Sequence, residues 1–329
     1  MDWSDEVIEW LLEEDNPSVR FLTLTELLGK SVQSKEVKQT RKAIMAYGPA
    51  AEIIGAQNDD GSWGTPARFY NDKYTGSVWN LLLLAELRAD PGEMRVQKAC
   101  RFILNRSLEP ESGGFSYTSS AKTGTGLPSG VIPCLTGNMV YALVRLGYLE
   151  EPGVQRAVEW ITRFQRADDA VAESPRGVAY DRYEMCWGRH SCHMGVAKSL
   201  KGLAAIPAEL RTKAIEHKIE ELLEYFLAHH IYKKSHDLDQ VARPGWLKLG
   251  FPLMYQTDIL ELLGIFSDLG RRDARLEEAV AIVQGKQGPD GKWKLENSFN
   301  GKMLVTIEKK GQPSKWITYK ALKVLKALG

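Results

Sequence analysis

Three of the chain's four cysteines and two of its six histidines fall in two short places. Cys134 stands alone, and the run Cys186-Trp187-Gly188-Arg189-His190-Ser191-Cys192-His193 follows further on. Thiolate and imidazole are preferred zinc ligands. Cys134, Cys186 and His190 are therefore expected to bind one zinc ion, with Cys192 or His193 as a fourth ligand or as a partner behind the ligands. Three protein ligands and an open position make a catalytic zinc; four make a structural one. The spacings fit neither a C-x-x-C pair nor a zinc ribbon. The competing reading is small buried cysteines and hydrogen-bonded histidines that pack a helix end. If the helix has begun by Ser191, Cys192 and His193 project about 100° apart, which sets them against facing one ion together.

Other residues carry weaker chemistry. Asp258 opens an apolar helical stretch; it reads either as a proton donor or as a cap for backbone N–H groups. Trp79, Tyr141, Trp246, Tyr255, Trp316 and Tyr319 are candidates to line a cavity, where ring faces stabilise cations; the plainer reading is core. Lys198 and Lys201 lie on an otherwise apolar helix and, with Arg189, are placed to meet a diphosphate or simply to reach solvent. His229, His230 and His236 near Asp237 and Asp239 read as a metal site or a solvated loop. No P-loop, dinucleotide fingerprint or nucleophile elbow is present.

The elements that must position these residues are helical. Asp5 to Glu13 and Asn16 to Leu28 form a first helical pair, and Gly29 ends it. Longer apolar helices begin near Thr75, Thr136, Ser191, Thr257 and Lys315, at a spacing of about 60 residues, which suggests a repeat architecture. Amphipathic helices alternate with them: Glu36 to Ile54, Met94 to Leu104, Val154 to Phe164, Ala208 to Ala228 and Asp273 to Val283. The apolar set suits an inner ring and the amphipathic set an outer ring with one wet face. Glu111 to Gly130 and Ala167 to Trp187 read as long loops. Met303 to Ile307, within Lys302 to Lys310, is β-rich, so a small β-hairpin is expected near the C-terminus.

Two corners repeat. Gln57-Asn58-Asp59-Asp60-Gly61-Ser62-Trp63 and Gln287-Gly288-Pro289-Asp290-Gly291-Lys292-Trp293 both read Q-x-x-x-G-x-W. Gly permits the sharp turn, the Gln amide can bridge helix-end groups, and the indole can cover the joint. Gly113-Gly114-Phe115 and Gln165 keep parts of the same pattern.

These corners resemble those of the terpenoid cyclase and protein prenyltransferase superfamily. The resemblance covers roughly Ala43 to Leu328. It implies an all-α fold, an (α/α) toroid of five or six helical hairpins around a central cavity, in one domain spanning 1–329, with 1–30 packed on or completing the ring. It further implies an isoprenoid-handling enzyme of cyclase or prenyltransferase type, acting on a small apolar substrate; the alternative is a non-catalytic toroid that binds lipid or peptide around a structural zinc. The D-x-D-D acid of triterpene cyclases is missing, and Asp258 sits close to where it would lie. His190-Ser191-Cys192 resembles the His-Thr-Cys element of the prenyltransferase zinc site. The Asp two residues before that site's Cys is replaced by Ile132, a place Cys186 could take.

Composition bounds the partners. With 43 basic and 42 acidic residues the formal net charge is +1, which provides no broad electrostatic footprint for nucleic acid. No apolar run approaches a membrane span; Val78 to Leu87 is interrupted by Asn80 and Glu86. The acidic start, Met1 to Glu6, is unlike a signal peptide. A cytoplasmic protein with unpaired cysteines is expected.

Overall fold

The computed structural model describes residues 4–177, 180–181 and 183–329, and the backbone alone at Glu184. Met1 to Trp3, part of the acidic start, lie outside the described residues.

The chain is mostly helical. It opens with α1 (Asp5–Leu11) and α2 (Pro17–Leu22), the latter running on as a π-helical turn, Thr23–Leu27. Ser4 and Asn16 cap them by accepting the N–H of Val7 and Val19. Then follow α3 (Lys35–Ala46) and α4 (Pro49–Gly55). One helix was expected from Glu36 to Ile54; Gly48, at φ +80°, and Pro49 break it in two. The rest are α5 (Ser77–Glu86), α6 (Met94–Arg106), α7 (Pro133–Arg145), α8 (Pro152–Phe164), the short α9 (Glu184–Trp187), α10 (His193–Ala204), α11 (Lys213–Ala228), α12 (Ile259–Asp268), α13 (Glu277–Gly285) and α14 (Lys315–Leu328).

Burial separates the helices as their patterns require. α5 buries every residue from Ser77 to Ala85, and α7 every residue from Leu135 to Leu143. α8 buries only Gly153 and the stripe Val154, Ala157, Val158, Trp160 and Ile161. The more deeply buried helices pack in series: α5 on α7, α7 on α10, α10 on α12, α12 on α14, and α14 on α2. The series returns to its start, because Ser18 Oγ donates to the Leu87 carbonyl at 2.7 Å and Arg88 pairs with Glu26 at 2.7 Å. The amphipathic helices α3, α6, α8, α11 and α13 pack against α2, α5, α7, α10 and α12. At the tightest joint a Cβ on Gly137 of α7 would come within 2.3 Å of the Lys198 backbone of α10, so only glycine permits that approach.

The two matching corners adopt the same hydrogen-bond set. The indole of Trp63 donates to the Ile53 carbonyl at 2.7 Å, and that of Trp293 to the Val283 carbonyl at 2.7 Å. Their backbone N–H groups donate to Ser77 Oγ and Thr318 Oγ1 on the next buried helix. Gln57 and Gln287 each donate to the carbonyl of their corner glycine at 3.1 Å. Phe115 repeats one part of this, donating its N–H to Thr136 Oγ1 at 3.0 Å.

The β structure lies elsewhere than expected. Residues 302–310 contain no strand. Met303 and Val305 turn into the core, and Asn300 holds the loop by donating to the Glu308 carbonyl and accepting from Ile307 N–H. The sheet is β1 (Lys233–Lys234) against β2 (Asp237–Val241), antiparallel, in the stretch read as a solvated loop. No described helix is long and apolar enough to cross a membrane.

Candidate functional site

Aromatic rings gather at the N-terminal ends of the buried helices. Trp79 opens α5 and donates its indole N–H to the Tyr70 carbonyl at 2.9 Å. Its ring lies 5.0 Å from Tyr70, 5.6 Å from Tyr74 and 6.1 Å from Tyr255. Tyr74 meets Phe299 at 4.3 Å, Tyr70 meets Tyr117 at 5.8 Å, and Tyr117 meets Tyr183 at 6.4 Å. The five tyrosines are each partly exposed. The Lys73 ammonium stands 5.5 Å and 5.8 Å from the Tyr70 and Tyr255 ring centres. Burial pushes the Tyr70 hydroxyl up and that of Tyr74 up to about 12, so both are neutral donors at neutral pH. Of these residues the sequence pointed to Trp79 and Tyr255. The others sit in loops, and the available signal was the density of Tyr in Tyr70 to Tyr74.

Cysteines lie beside these rings. Cys134 is in the first turn of α7 and Cys192 caps α10. Cys192 N–H donates to the Cys186 carbonyl at 3.2 Å, and Trp187 pairs with Ser191 across the same tight turn. The Cys186 thiol's hydrogen bond to Cys192 holds the Cys192 thiol down at about 6, against burial and aided by the N–H groups of Gly195 and Met194. The same bond, then burial, drives Cys186 up. Burial pushes Cys134 up to about 12.

The histidines expected to join them do not. His190 is 58 % exposed, with Nδ1 at 3.1 Å from both Asp169 Oδ1 and Ala170 N. His193 stacks on Trp246 at 3.7 Å and meets Phe226 edge-on. Burial holds it well below the ordinary histidine value. Among the described residues no three His, Cys, Asp or Glu side chains are arranged to hold one metal ion. Of the set Cys134, Cys186, His190, Cys192 and His193, the three cysteines lie beside the rings, while the His190 imidazole meets Asp169 and that of His193 meets Trp246.

Asp258 caps α12. Its two carboxylate oxygens accept from Glu261 N–H and Gly250 N–H, each at 2.8 Å. Burial raises it to about 6 against those two hydrogen bonds. It does not line the central cavity.

That cavity, about 110 Å³, lies within the series of buried helices and was expected to be apolar. It is charged. Arg88, Arg145, Lys201, Lys320 and Lys323 line it with Glu26, Glu86, Glu261 and Asp268. Lys198, 0 % exposed, stands behind Glu261 and donates to both its oxygens at 2.9 Å and 2.7 Å. Lys201 reaches Glu261 at 2.8 Å and also Glu86. Lys323 joins Glu26 and Asp268, each at 2.5 Å, and Tyr319 donates to Glu26 at 2.6 Å. Burial pushes these acids up, but the cations overcome it: Arg88 and Lys323 hold Glu26 at about 2, Lys201 and Lys320 hold Glu86 at about 2, and Lys198 and Lys201 hold Glu261 well below the carboxylate range.

Of the six aromatic candidates, Tyr141, Trp316 and Tyr319 line this cavity. Trp79 and Tyr255 belong to the other cluster, and Trp246 stacks on His193. Lys198 and Lys201 were visible as lysines on an apolar helix. Their acids had a matching signal, since Glu86 and Glu261 interrupt apolar runs.

No protein-family model matches the chain, and no curated protein matches it. Among solved structures it is similar to a protein from Actinoplanes at 13 % identity and a TM-score of 0.44, covering 90 % of this chain and 86 % of that one. It is also similar to the type II terpene cyclase MstE from Scytonema. The apo form matches at 13 % identity and a TM-score of 0.41, covering 97 % of this chain and 98 % of that one. A variant in complex with its product, merosterolic acid A, matches at 15 % identity and a TM-score of 0.43, covering 98 % of each chain. These likenesses are too distant to assign chemistry.

Proposed function

We propose that this chain is an (α/α) toroid of six helical hairpins, with 1–30 supplying one of them, and that it handles an isoprenoid at the aromatic end of the ring. The observation that carries this is the run of contacting rings from Phe299 through Tyr74, Trp79 and Tyr70 to Tyr117 and Tyr183, with Tyr255 beside Trp79. Trp79 on α5 and Phe299 are buried, and around them the five tyrosines, brought in by loops distant in the chain, are partly exposed. Their bodies suit an apolar chain, and their faces attract cations by roughly 0.5–2 kcal/mol each. Lys73 already occupies the position a cation would take.

A second reading, binding without turnover, is favoured by Asp258. A proton donor needs a face toward its substrate, whereas Asp258 is 1 % exposed and both its oxygens accept from backbone N–H groups.

Incubation of the pure protein with squalene, and separately with prenyl diphosphates plus a thiol acceptor, distinguishes the readings. Consumption of either substrate supports the enzyme. Saturable quenching of tryptophan fluorescence without turnover supports the binding protein. The absence of both consumption and quenching, at substrate concentrations up to solubility, refutes the isoprenoid assignment. Tyr255→Ala is expected to weaken binding about tenfold, the worth of one desolvated ring contact.

A further inference from the structure

The charged cavity is not used by the function proposed above, and its charges do not balance. Four acids face it: Glu26, Glu86, Glu261 and Asp268. Each is engaged by a base, through Lys198 and Lys201 on Glu261, Lys201 on Glu86, Arg88 and Lys323 on Glu26, and Lys323 on Asp268. Two further cations line the cavity. Arg145, in the last turn of α7, stands over the Tyr141 ring at 5.8 Å; among the described residues it has no acid within ion-pair distance, and its Nε is buried with no hydrogen-bond partner. Lys320, on α14, is 3.9 Å from Glu86, too far for a hydrogen bond, and stands over the Phe251 ring at 4.7 Å. The C-terminal ends of α5 and α7 explain why cations collect here, but those dipoles give the Arg145 Nε no acceptor. A buried donor without an acceptor, in a site with excess positive charge, is a costly arrangement unless an anion completes it.

Size restricts the occupant. A volume of about 110 Å³ is several times the ~30 Å³ share of one water and well under the ~300 Å³ at which drug-sized pockets begin. Arg145, Ala204 and Ala205 are partly exposed, so the cavity opens to solvent on that side. A guanidinium matches the oxygen spacing of a tetrahedral oxyanion, and an ammonium adds a point charge. We propose that the central cavity binds one small oxyanion, with the chemistry of phosphate, between Arg145 and Lys320. Free phosphate and the phosphate of a small ester share this chemistry, and the experiment separates them.

The test is a titration of the full-length protein with inorganic phosphate, sulfate and glycerol phosphate, with sodium chloride adjusted to constant ionic strength. Heat of binding and melting temperature are followed together. Saturable binding is expected for phosphate and sulfate, with a rise in melting temperature that follows occupancy. Weaker or no binding of glycerol phosphate identifies the free ion; tighter binding identifies an ester. Arg145→Gln and Lys320→Gln are each expected to weaken phosphate at least tenfold, Arg145→Lys less, and the outer-helix change Lys98→Gln not at all. Circular dichroism without phosphate checks each fold. Should Arg145→Gln not fold, Arg145→Lys and Lys320→Gln decide. The proposal is overturned if no oxyanion binds saturably above the chloride control, or if binding is unchanged in the folded Arg145 and Lys320 variants. Both results are independent of whether the protein accepts an isoprenoid.

Discussion

The two ends of the buried helices are built from opposite materials. At the N-terminal ends of α5, α7 and α10 the side chains are rings and thiols, partly exposed, and connected through loops. Deeper along the same helices, from Lys198 in the middle of α10 to Arg88 just past α5, they are ammonium, guanidinium and carboxylate groups, joined by short ion pairs to the turn that continues α2, to Glu261 in the first turn of α12 and to α14. The charged end ties helices distant in sequence into one series, which loops alone do not do. The aromatic end leaves surface free for a ligand. Stability and recognition are thereby assigned to different ends of one set of helices, and each prediction below asks whether that division holds.

The largest effect is expected from Glu261→Ala. It strands Lys198, wholly buried, without its acid, and breaking such a pair costs about 3–5 kcal/mol. Urea unfolding should show it as a lower midpoint. Replacing both partners, as in Lys198→Met with Glu261→Leu, should recover most of the loss, because two buried charges are removed together. A double variant no better than the single would mean that the ion pair itself, not the stranded charge, holds the helices.

Acid should act through the same end. Glu26 and Glu86 lie at about 2 and Glu261 lower, against an ordinary 4.5. Folded values below unfolded ones mean that their contribution is complete above about 4.5 and is lost as pH falls toward 2. Asp258, raised to about 6, runs the other way: its cost is present above that value and is relieved as pH falls. Unfolding midpoints measured from pH 7 to pH 3 should therefore rise slightly between pH 6 and pH 5 and then drop. An equal drop in Glu261→Gln would remove the network as the cause.

Thiol chemistry tests the aromatic end. Cys192 is partly exposed and titrates at about 6, whereas Cys100 is fully buried and pushed up to about 12 by that burial. Iodoacetamide at pH 7 should label Cys192 before Cys100, because its thiol is lowered and partly exposed; peptide mapping reads the order. Labelling of Cys100 before Cys192 would contradict the assigned environment. The smallest effect on stability is expected from Lys73→Ala, under about 1 kcal/mol, since an exposed cation over two rings contributes little. If the aromatic surface is for recognition, that same change should alter isoprenoid affinity while the melting temperature hardly moves.

Much of the helical order was legible because it rests on local rules. Asn16 and Pro17, Gly61 and Trp63, and the solid apolar run of α7 each dictate their structure within a few residues, and the matching hydrogen bonds of Trp63 and Trp293 follow from matching local sequence. The break at Gly48-Pro49 was equally local. The position of the sheet was not: Met303 to Ile307 has the residues of a strand, but core packing of Met303 and Val305 and the side chain of Asn300 outweigh propensity.

The candidate site was legible only in pieces. Cys134, Cys186 and Cys192 read correctly as neighbours of helix starts, yet the directions of His190 and His193 depend on what each ring meets in space, an Asp169 carboxylate and a Trp246 face. The sequence by itself determined which helices are buried on all sides, where they begin, and that lysines and glutamates interrupt them. Tertiary structure alone decided that Lys198 meets Glu261 across 63 residues and Lys323 meets Glu26 across 297. A charge on an apolar helix announces a partner without naming it, because the partner is chosen by how helices distant in the chain pack together, and that is a property of the closed series of contacts rather than of any segment in it.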